Sequence, residues 1–401
     1  MVGASTALEL KLRGHAVTLI DRRDPGLETS YGNAGVIQAE AVEPYAFPRD
    51  WVTLCGAALG RRLDVRYQVT GLFSALPQLA RYWWNSAPER HRHISRQYAW
   101  LVAGATREHQ RFISLANAED LIQRKGLRLL YRSNKILDTA LADAERLHTD
   151  YGISFAALDS AALTAAEPGL HKRLAGALHW LESWSVSDPG TLVARYVQHF
   201  QRMGGSLLRG DADSLIQNVD GTWQVATEDG QLQSRQIVIA LGPWAGRCIR
   251  SLGYRMPLFV KRGYHQHFSG GSSLNLPSID AEMGYVLAPQ VRGMRLTTGA
   301  EIARIGAPPR LQQLRGAEIA ARELLSLGQP VEATPWLGYR PCSADMKPVI
   351  GPAPRHKGLW FNFGHGHQGF TLGPVSATLL ADLMEGIAPN ANVLAFAPSR
   401  F

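Results

Sequence analysis

The chain opens on half of a nucleotide-binding unit, and that opening constrains the fold more than any other stretch. Met1-Val2-Gly3-Ala4-Ser5 runs directly into Thr6-Ala7-Leu8-Glu9-Leu10-Lys11-Leu12-Arg13-Gly14, which predicts a short helix stopped by glycine. An apolar strand follows, His15-Ala16-Val17-Thr18-Leu19-Ile20-Asp21, closed by an acid. Helix, glycine stop and buried parallel strand ending on Asp form the second half of a β–α–β dinucleotide-binding unit. Gly3 takes the place of the last glycine of G-x-G-x-x-G, where close helix–strand packing leaves no room for a side chain. The spacing puts the first strand and the other two glycines upstream of residue 1, as if the chain started at an internal methionine. Two neighbouring strands are then expected to lack a partner. Asp21 is either a ribose ligand or a solvated strand-end acid.

At 401 residues the chain is long enough for two domains. No apolar run reaches the roughly 18 residues that a membrane-crossing helix needs. The three cysteines, Cys55, Cys248 and Cys342, are far apart and form no C-x-x-C. That usage predicts free thiols in a reducing, cytoplasmic compartment rather than a disulfide framework or a zinc site.

Further along, residues 77–119 have helical periodicity, with Ile94, Tyr98, Leu101, Ala105, Phe112 and Ala116 on one buried stripe. A second helix is expected over 134–151, and another begins at Asp188-Pro189-Gly190. A hairpin is predicted from 212–219 and 223–227, and a buried parallel strand over 236–242 ends on Gly242. Gly/Pro turns punctuate β-type segments over 259–301, which suggests an antiparallel sheet. A helix near 311–327, a strand at 359–363 and a helix over about 372–385 complete the pattern. Nucleotide-type elements thus recur at the start, middle and end. The expected division is a domain of residues 1–48, 185–258 and 335–401 and a second of 49–184 and 259–334.

The net charge of +8 is concentrated. Between Arg49 and Arg111 there are ten arginines, no lysine and four acids, interleaved with Trp51, Trp83, Trp84, Trp100, Tyr67, Tyr82 and Tyr98. Two readings stand: contact with an anionic membrane surface, or a solvated helical face whose tryptophans pack inward. No recognition motif accompanies the charge, so nucleic acid is not an expected partner.

The tail carries the densest chemistry. Gly338-Tyr339-Arg340-Pro341 is followed by Gly364-His365-Gly366-His367-Gln368-Gly369 and Thr371-Leu372-Gly373-Pro374. Glycines ahead of a helix N-terminus present N–H groups and the positive dipole end, which suits a phosphate or the anionic edge of a reduced flavin. Arg340, beside a proline-stiffened turn, suits a two-pronged grip on a carboxylate. Three His-x-His pairs (His91/His93, His265/His267, His365/His367) lack carboxylate or cysteine partners nearby in sequence, so no metal site is expected. There is no G-x-S-x-G.

With these residues in view, nearly the whole chain resembles the FAD-dependent D-amino-acid oxidase superfamily, especially its bacterial D-amino-acid dehydrogenase and D-hydroxyproline dehydrogenase-like members. The likeness is carried by the opening through Asp21, by Glu28-Thr29-Ser30-Tyr31-Gly32-Asn33-Ala34-Gly35 and by Ala240-Leu241-Gly242-Pro243-Trp244. Lys261-Arg262-Gly263-Tyr264-His265 and the two tail motifs add to it. It implies a mixed α/β fold, a Rossmann-type FAD-binding domain interleaved with an antiparallel-sheet substrate domain. It further implies that Gly3, Asp21 and Arg22 meet the nucleotide end of FAD, and Ser30, Asn33, Ala34 and Gly35 the loop near the flavin ring. Gly242 would form a second approach, and Gly364, Gly366, Gly369, Thr371 and Leu372 the turn and helix start under the ring. Arg340 would hold the substrate carboxylate, with Tyr264, His265, Tyr285 and Tyr339 as pocket candidates. The reaction implied is oxidation of the Cα–N bond of a D-amino acid to an imino acid, which hydrolyses to a 2-oxo acid and ammonium. Electrons would pass to a quinone at the inner membrane face. Open alternatives are a soluble oxidase using dioxygen on glycine-, sarcosine- or proline-like amines, and a flavin-free, inactive product of a truncated frame.

Overall fold

The computed structural model describes residues 1–60, 62–387 and 391–401. Arg61, one of the ten clustered arginines, lies outside the described residues. The nucleotide-type half is built around the first helix, Val2–Leu12. Its Ala4, Ala7 and Leu8 pack against Leu192 and Tyr196 of the helix Pro189–Arg202 and against Phe112 of Ala105–Leu115. Leu8, Phe112 and Tyr196 are fully buried, and a buried side chain of this size contributes about 1.5–3 kcal/mol. Asp188 caps Pro189–Arg202 by accepting from the Thr191 N–H at 3.0 Å.

The strand Thr18–Asp21 runs parallel to Ser206–Gln217, which continues antiparallel into Trp223–Thr227. Ile237–Ile239 runs parallel to Leu359–Phe363. The sequence predicts both Thr18–Asp21 and Ile237–Ile239 as buried strands, and here the structure corrects it. The first is half-buried and ends on an exposed Asp21, and in the second only Ile239 is buried. The reason is topological. Among the described residues, each has a strand neighbour on one side only, and both border the same cavity.

The other half is a large, mostly antiparallel sheet whose spine is Leu258–Gly270. Trp336–Ser343 pairs with it from Leu258↔Ser343 to His265↔Trp336. That pairing moves residues 336–343 out of the nucleotide domain expected from 335 onward. Conversely, Ala105–Leu115 packs beside the first helix, although 49–184 was expected on the substrate side. Both shifts have one cause: strand pairing and helix packing join segments without regard to sequence proximity.

The helical region over 77–119 divides into Val69–Asn85, Pro88–Ala103 and Ala105–Leu115. Its expected stripe, from Ile94 to Ala116, is buried throughout. The tryptophans are not packed inward, however: Trp51 is 79% exposed, Trp84 56% and Trp83 40%. Helix Asn134–Tyr151 has the expected bounds and stops at Gly152, whose φ of +73° is a left-handed cap. The last long helix, Gly369–Met384, starts ahead of the expected Leu372.

Candidate functional site

A single cavity of about 930 Å³ runs from the first helix to Arg340, near the upper end of the usual range for ligand sites, about 300–1,000 Å³. At its nucleotide end lie Met1–Ala4, Asp21, Arg22, Gly242 and Trp244. The first-turn N–H groups of Val2–Leu12 have no intrahelical acceptors, so a phosphate would be favoured there. Asp21 accepts from the Arg23 N–H at 3.2 Å, leaving oxygen lone pairs for a hydroxyl. Arg22 bonds Glu28 at 2.8 Å and stacks 3.9 Å over the Trp244 ring. The buried Met1 amine donates to Ser30 Oγ at 2.7 Å, and burial lowers its pKa to about 5 against the opposing pull of Asp21.

Gly242 has φ +52°, and a Cβ there would meet nothing within 4 Å, so the backbone is open to close approach. Gly3 behaves otherwise than expected. A Cβ on it would lie 3.5 Å from the Ala240 Cβ, an ordinary contact, so packing does not exclude a side chain.

The middle of the cavity is bordered by Ser30, Gly32 and Asn33 on one side and by His365, Gly366, His367 and Gly369 on the other. Asn33 Oδ1 accepts the Gly35 and Val36 N–H groups at 2.8 and 3.2 Å, folding the loop on itself. Arg295 Nη1 clamps it from outside, donating to the Tyr31 and Asn33 carbonyls at 2.8 and 2.5 Å. Ala34 and Gly35 stand behind this wall: the Ala34 carbonyl accepts from Gln290, and Gly35 abuts the Val186 carbonyl. Gly364 turns the chain with φ +83°. Thr371 and Leu372 are interior, Thr371 Oγ1 accepting from the Gln38 N–H and Leu372 packed in the core. Of the tail set, then, Gly366 and Gly369 border the cavity, while Gly364, Thr371 and Leu372 support it from behind.

Arg340 ends the cavity. It is held by two backbone carbonyls, Nη1 to Gly299 at 2.8 Å and Nη2 to Thr298 at 3.0 Å. No carboxylate pairs with it among the described residues, and burial lowers its pKa. Its remaining N–H groups are free for an anion. His365 and His367 are both pushed down to about 3, His365 by burial and the Met1 amine, His367 by burial and the charges of Arg340 and Lys261. Both imidazoles are therefore neutral near pH 7. Tyr339 also borders the cavity, its ring 6.5 Å from Trp244.

Of the pocket candidates, Tyr264 borders the cavity, whereas His265 and Tyr285 do not line it. Side chains alternate across a strand, so Lys261, Gly263 and His265 share the face of Arg340, and Tyr264 takes the other. The Tyr264 hydroxyl is spent on Glu301 at 2.7 Å and on the Arg310 N–H at 2.9 Å. His265 lies under Trp336, stacked at 4.9 Å, and burial drives its pKa far down. It is a packing group rather than an acid or base. Tyr285 is a core residue beside Leu287 and Phe268. What the sequence left unnoticed are the Thr298 and Gly299 carbonyls that hold Arg340, which carry no side-chain signal.

The residues present fit FAD. The cavity is long and two-ended, a helix start lies at its nucleotide end, and glycine backbone lies along it. Thr297 Oγ1 borders it buried and without a partner.

A sequence profile described as FAD dependent oxidoreductase matches residues 1–383. The chain is 30% identical to a D-amino-acid oxidase of Bradyrhizobium diazoefficiens, covering 100% of this chain and 96% of that protein. It is 31% identical to a D-amino acid dehydrogenase of Cereibacter sphaeroides, covering 97% and 91%. The fold matches glycine oxidase from Geobacillus kaustophilus with a TM-score of 0.73 at 19% identity, covering 100% and 96% of the two chains. L-proline dehydrogenase from P. horikoshii matches at 0.71 and 16% identity, covering 100% and 95%.

Proposed function

The chain belongs to the FAD dependent oxidoreductase family, and from that premise we propose that it oxidises the Cα–N bond of a D-amino acid, with Arg340 holding the substrate carboxylate. One observation carries this reading: a half-buried arginine with no acidic partner among the described residues, fixed by the Thr298 and Gly299 carbonyls at the end of the cofactor-sized cavity. Drawing a cation out of water without a counter-charge is costly, and a bound carboxylate supplies that charge. The D preference is supported by relatives named D-amino-acid oxidase and D-amino acid dehydrogenase.

FAD, when bound, supplies the two-electron acceptor for the hydride leaving Cα. Gly3, Asp21, Arg22 and Gly242 would hold its nucleotide end, and Ser30, Asn33, Gly366 and Gly369 its ring. Arg340 binds and orients the substrate. Neutral His365 and His367 add no positive charge that would repel the incoming substrate ammonium. Trp336 folds over Gly32 and Gly338, where a Cβ would meet its ring at 1.8 Å in either case; this closes the wall behind the substrate and excludes water. The imino acid then hydrolyses to a 2-oxo acid and ammonium.

The reading is tested by steady-state kinetics on Arg340→Ala. KM for D-amino acids rises strongly while the flavin stays bound; an unchanged KM rejects the role.

For the electron acceptor we infer a membrane quinone, supported by one surface. Trp51, Val52, Val69, Phe73, Leu76 and Trp84 are exposed on Trp51–Ala58 and Val69–Asn85. Arginines flank them, Arg49 and Arg90 stacking on Trp83 and Trp84 at 3.8 Å. An apolar face rimmed by arginine suits an anionic lipid surface. No helix among the described residues is long and apolar enough to cross a membrane. Flotation with anionic liposomes tests this: wild type co-floats and Phe73→Ser with Trp84→Ser abolishes co-flotation; full co-flotation of the variant rejects this face as the contact, and no co-flotation of the wild type favours dioxygen as acceptor.

A further inference from the structure

Lys261 lies directly across from Arg340 in the register of the two central strands. Directly opposed residues on one face have Cβ atoms about 4.5–5.5 Å apart, and like charges there destabilise the sheet. Neither cation has a carboxylate partner among the described residues. Of the buried acids, Glu40 is committed to Gln38 at 2.6 Å and to Ser183, and Glu301 to Arg262 at 2.6 Å. Burial keeps the Cys342 thiol protonated by raising its pKa. Two half-buried cations therefore face each other with no carboxylate among the described residues to neutralise them.

Their heads diverge along the strand. Arg340 folds over Gly263, where a Cβ would meet Nη2 at 2.7 Å, and reaches the 298–299 carbonyls. Lys261 turns the other way: its ammonium donates to Tyr82 Oη at 3.2 Å and sits 5.7 Å from the Phe259 ring. The two cations thus take separate partners on one face of the sheet. Both act on His367, which borders the cavity and stacks at 4.7 Å on Tyr45.

Resting on the amino-acid reading above, we propose that Lys261 is a second anion site and that the substrate is an amino dicarboxylate, its α-carboxylate on Arg340 and its side-chain carboxylate on Lys261. Lys261 is a specificity-determining residue. Gly263 and Gly338, paired in register, leave room on this face for the Arg340 guanidinium and the Trp336 ring, which lie where a Cβ would stand.

The test compares D-glutamate with its neutral isostere D-glutamine on the flavin-loaded protein, wild type, Lys261→Met and Lys261→Arg. Wild type prefers D-glutamate at least tenfold in kcat/KM. Lys261→Met loses that preference through KM, the KM for D-glutamate rising at least tenfold more than that for D-glutamine, and Lys261→Arg restores most of it. Calorimetric binding of glutarate against butyrate gives a readout independent of turnover: glutarate binds wild type more tightly, and Lys261→Met removes the difference. Equal loss for both amino acids in Lys261→Met, or a wild-type preference for D-glutamine, overturns the inference while leaving the amino-acid reading intact. If no D-amino acid is oxidised and neither acid binds, both readings fall.

Discussion

Two arginines on the paired central strands show how the same side chain takes opposite roles on opposite faces of a sheet. Arg262 is fully buried and fully answered: Nε meets Glu301 at 2.6 Å, and its other nitrogens meet the Ala307 and Pro308 carbonyls at 2.6 and 2.7 Å. Arg340, on the facing strand, meets carbonyls alone and borders a cavity. The first arrangement closes a core; the second leaves a charge for a ligand. The missing counter-ion separates function from architecture here: Arg262 is fully buried and paired with an acid, whereas Arg340 is half-buried and has no acid among the described residues.

The comparison breaks first at Glu301. Glu301→Ala leaves Arg262 and the Tyr264 hydroxyl without their acid, and the expected loss is about 3–5 kcal/mol of stability, read by urea unfolding. Substrate preference among molecules that still fold should not change. A loss under 1 kcal/mol would mean that Arg262 is no more structural than Arg340.

Arg340→Ala sharpens the contrast from the other side. A hydrogen bond to a charged group contributes about 1.5–3 kcal/mol, so KM for D-amino acids should rise on the order of 10- to 100-fold, with little change in kcat. Stability falls far less than in Glu301→Ala. Equal destabilisation in the two variants would erase the distinction.

A third test uses pH. Burial lowers His109 to about 4 and His365 and His367 to about 3, below the ordinary 6.5. The unfolded chain therefore binds protons between about pH 6.5 and 4 that the native chain does not, and stability rises with pH across that window. Their contribution is full above 6.5 and is lost on acidification, at about 1.4 kcal/mol per pH unit for each group. Tm should fall steadily below pH 6.5, and His367→Phe should blunt the fall. A flat Tm down to pH 4 would show that these imidazoles are solvated.

The smallest effect is expected at the exposed face. Phe73→Ser changes stability by no more than about 0.5 kcal/mol. A larger loss would show that this face is packed in solution.

The elements legible in the sequence were those with their own signals. Helix Asn134–Tyr151 has a periodic stripe and a glycine stop, and Leu359–Phe363 is an apolar run broken only by Asn362, ahead of glycines. Arg340 was legible because proline and glycine flank a charged residue in a strand. Lys261 and Tyr264 were not separable: a one-residue step along a strand reverses the face, and only the pairing with Trp336–Ser343 shows that lysine, not tyrosine, accompanies Arg340. The exposure of Trp51 and Trp84 was equally hidden, since tryptophan suits a core and an interface alike. The Thr298 and Gly299 carbonyls that hold Arg340 belong to the backbone, which sequence chemistry does not mark.

The claim that Arg340 stands ready for a carboxylate is tested most directly by anaerobic mixing of the flavin-loaded protein with a D-amino acid and, separately, with the amine that lacks its carboxylate. The account predicts that the amino acid bleaches the flavin absorbance and the amine does not. Equal bleaching by both would contradict it.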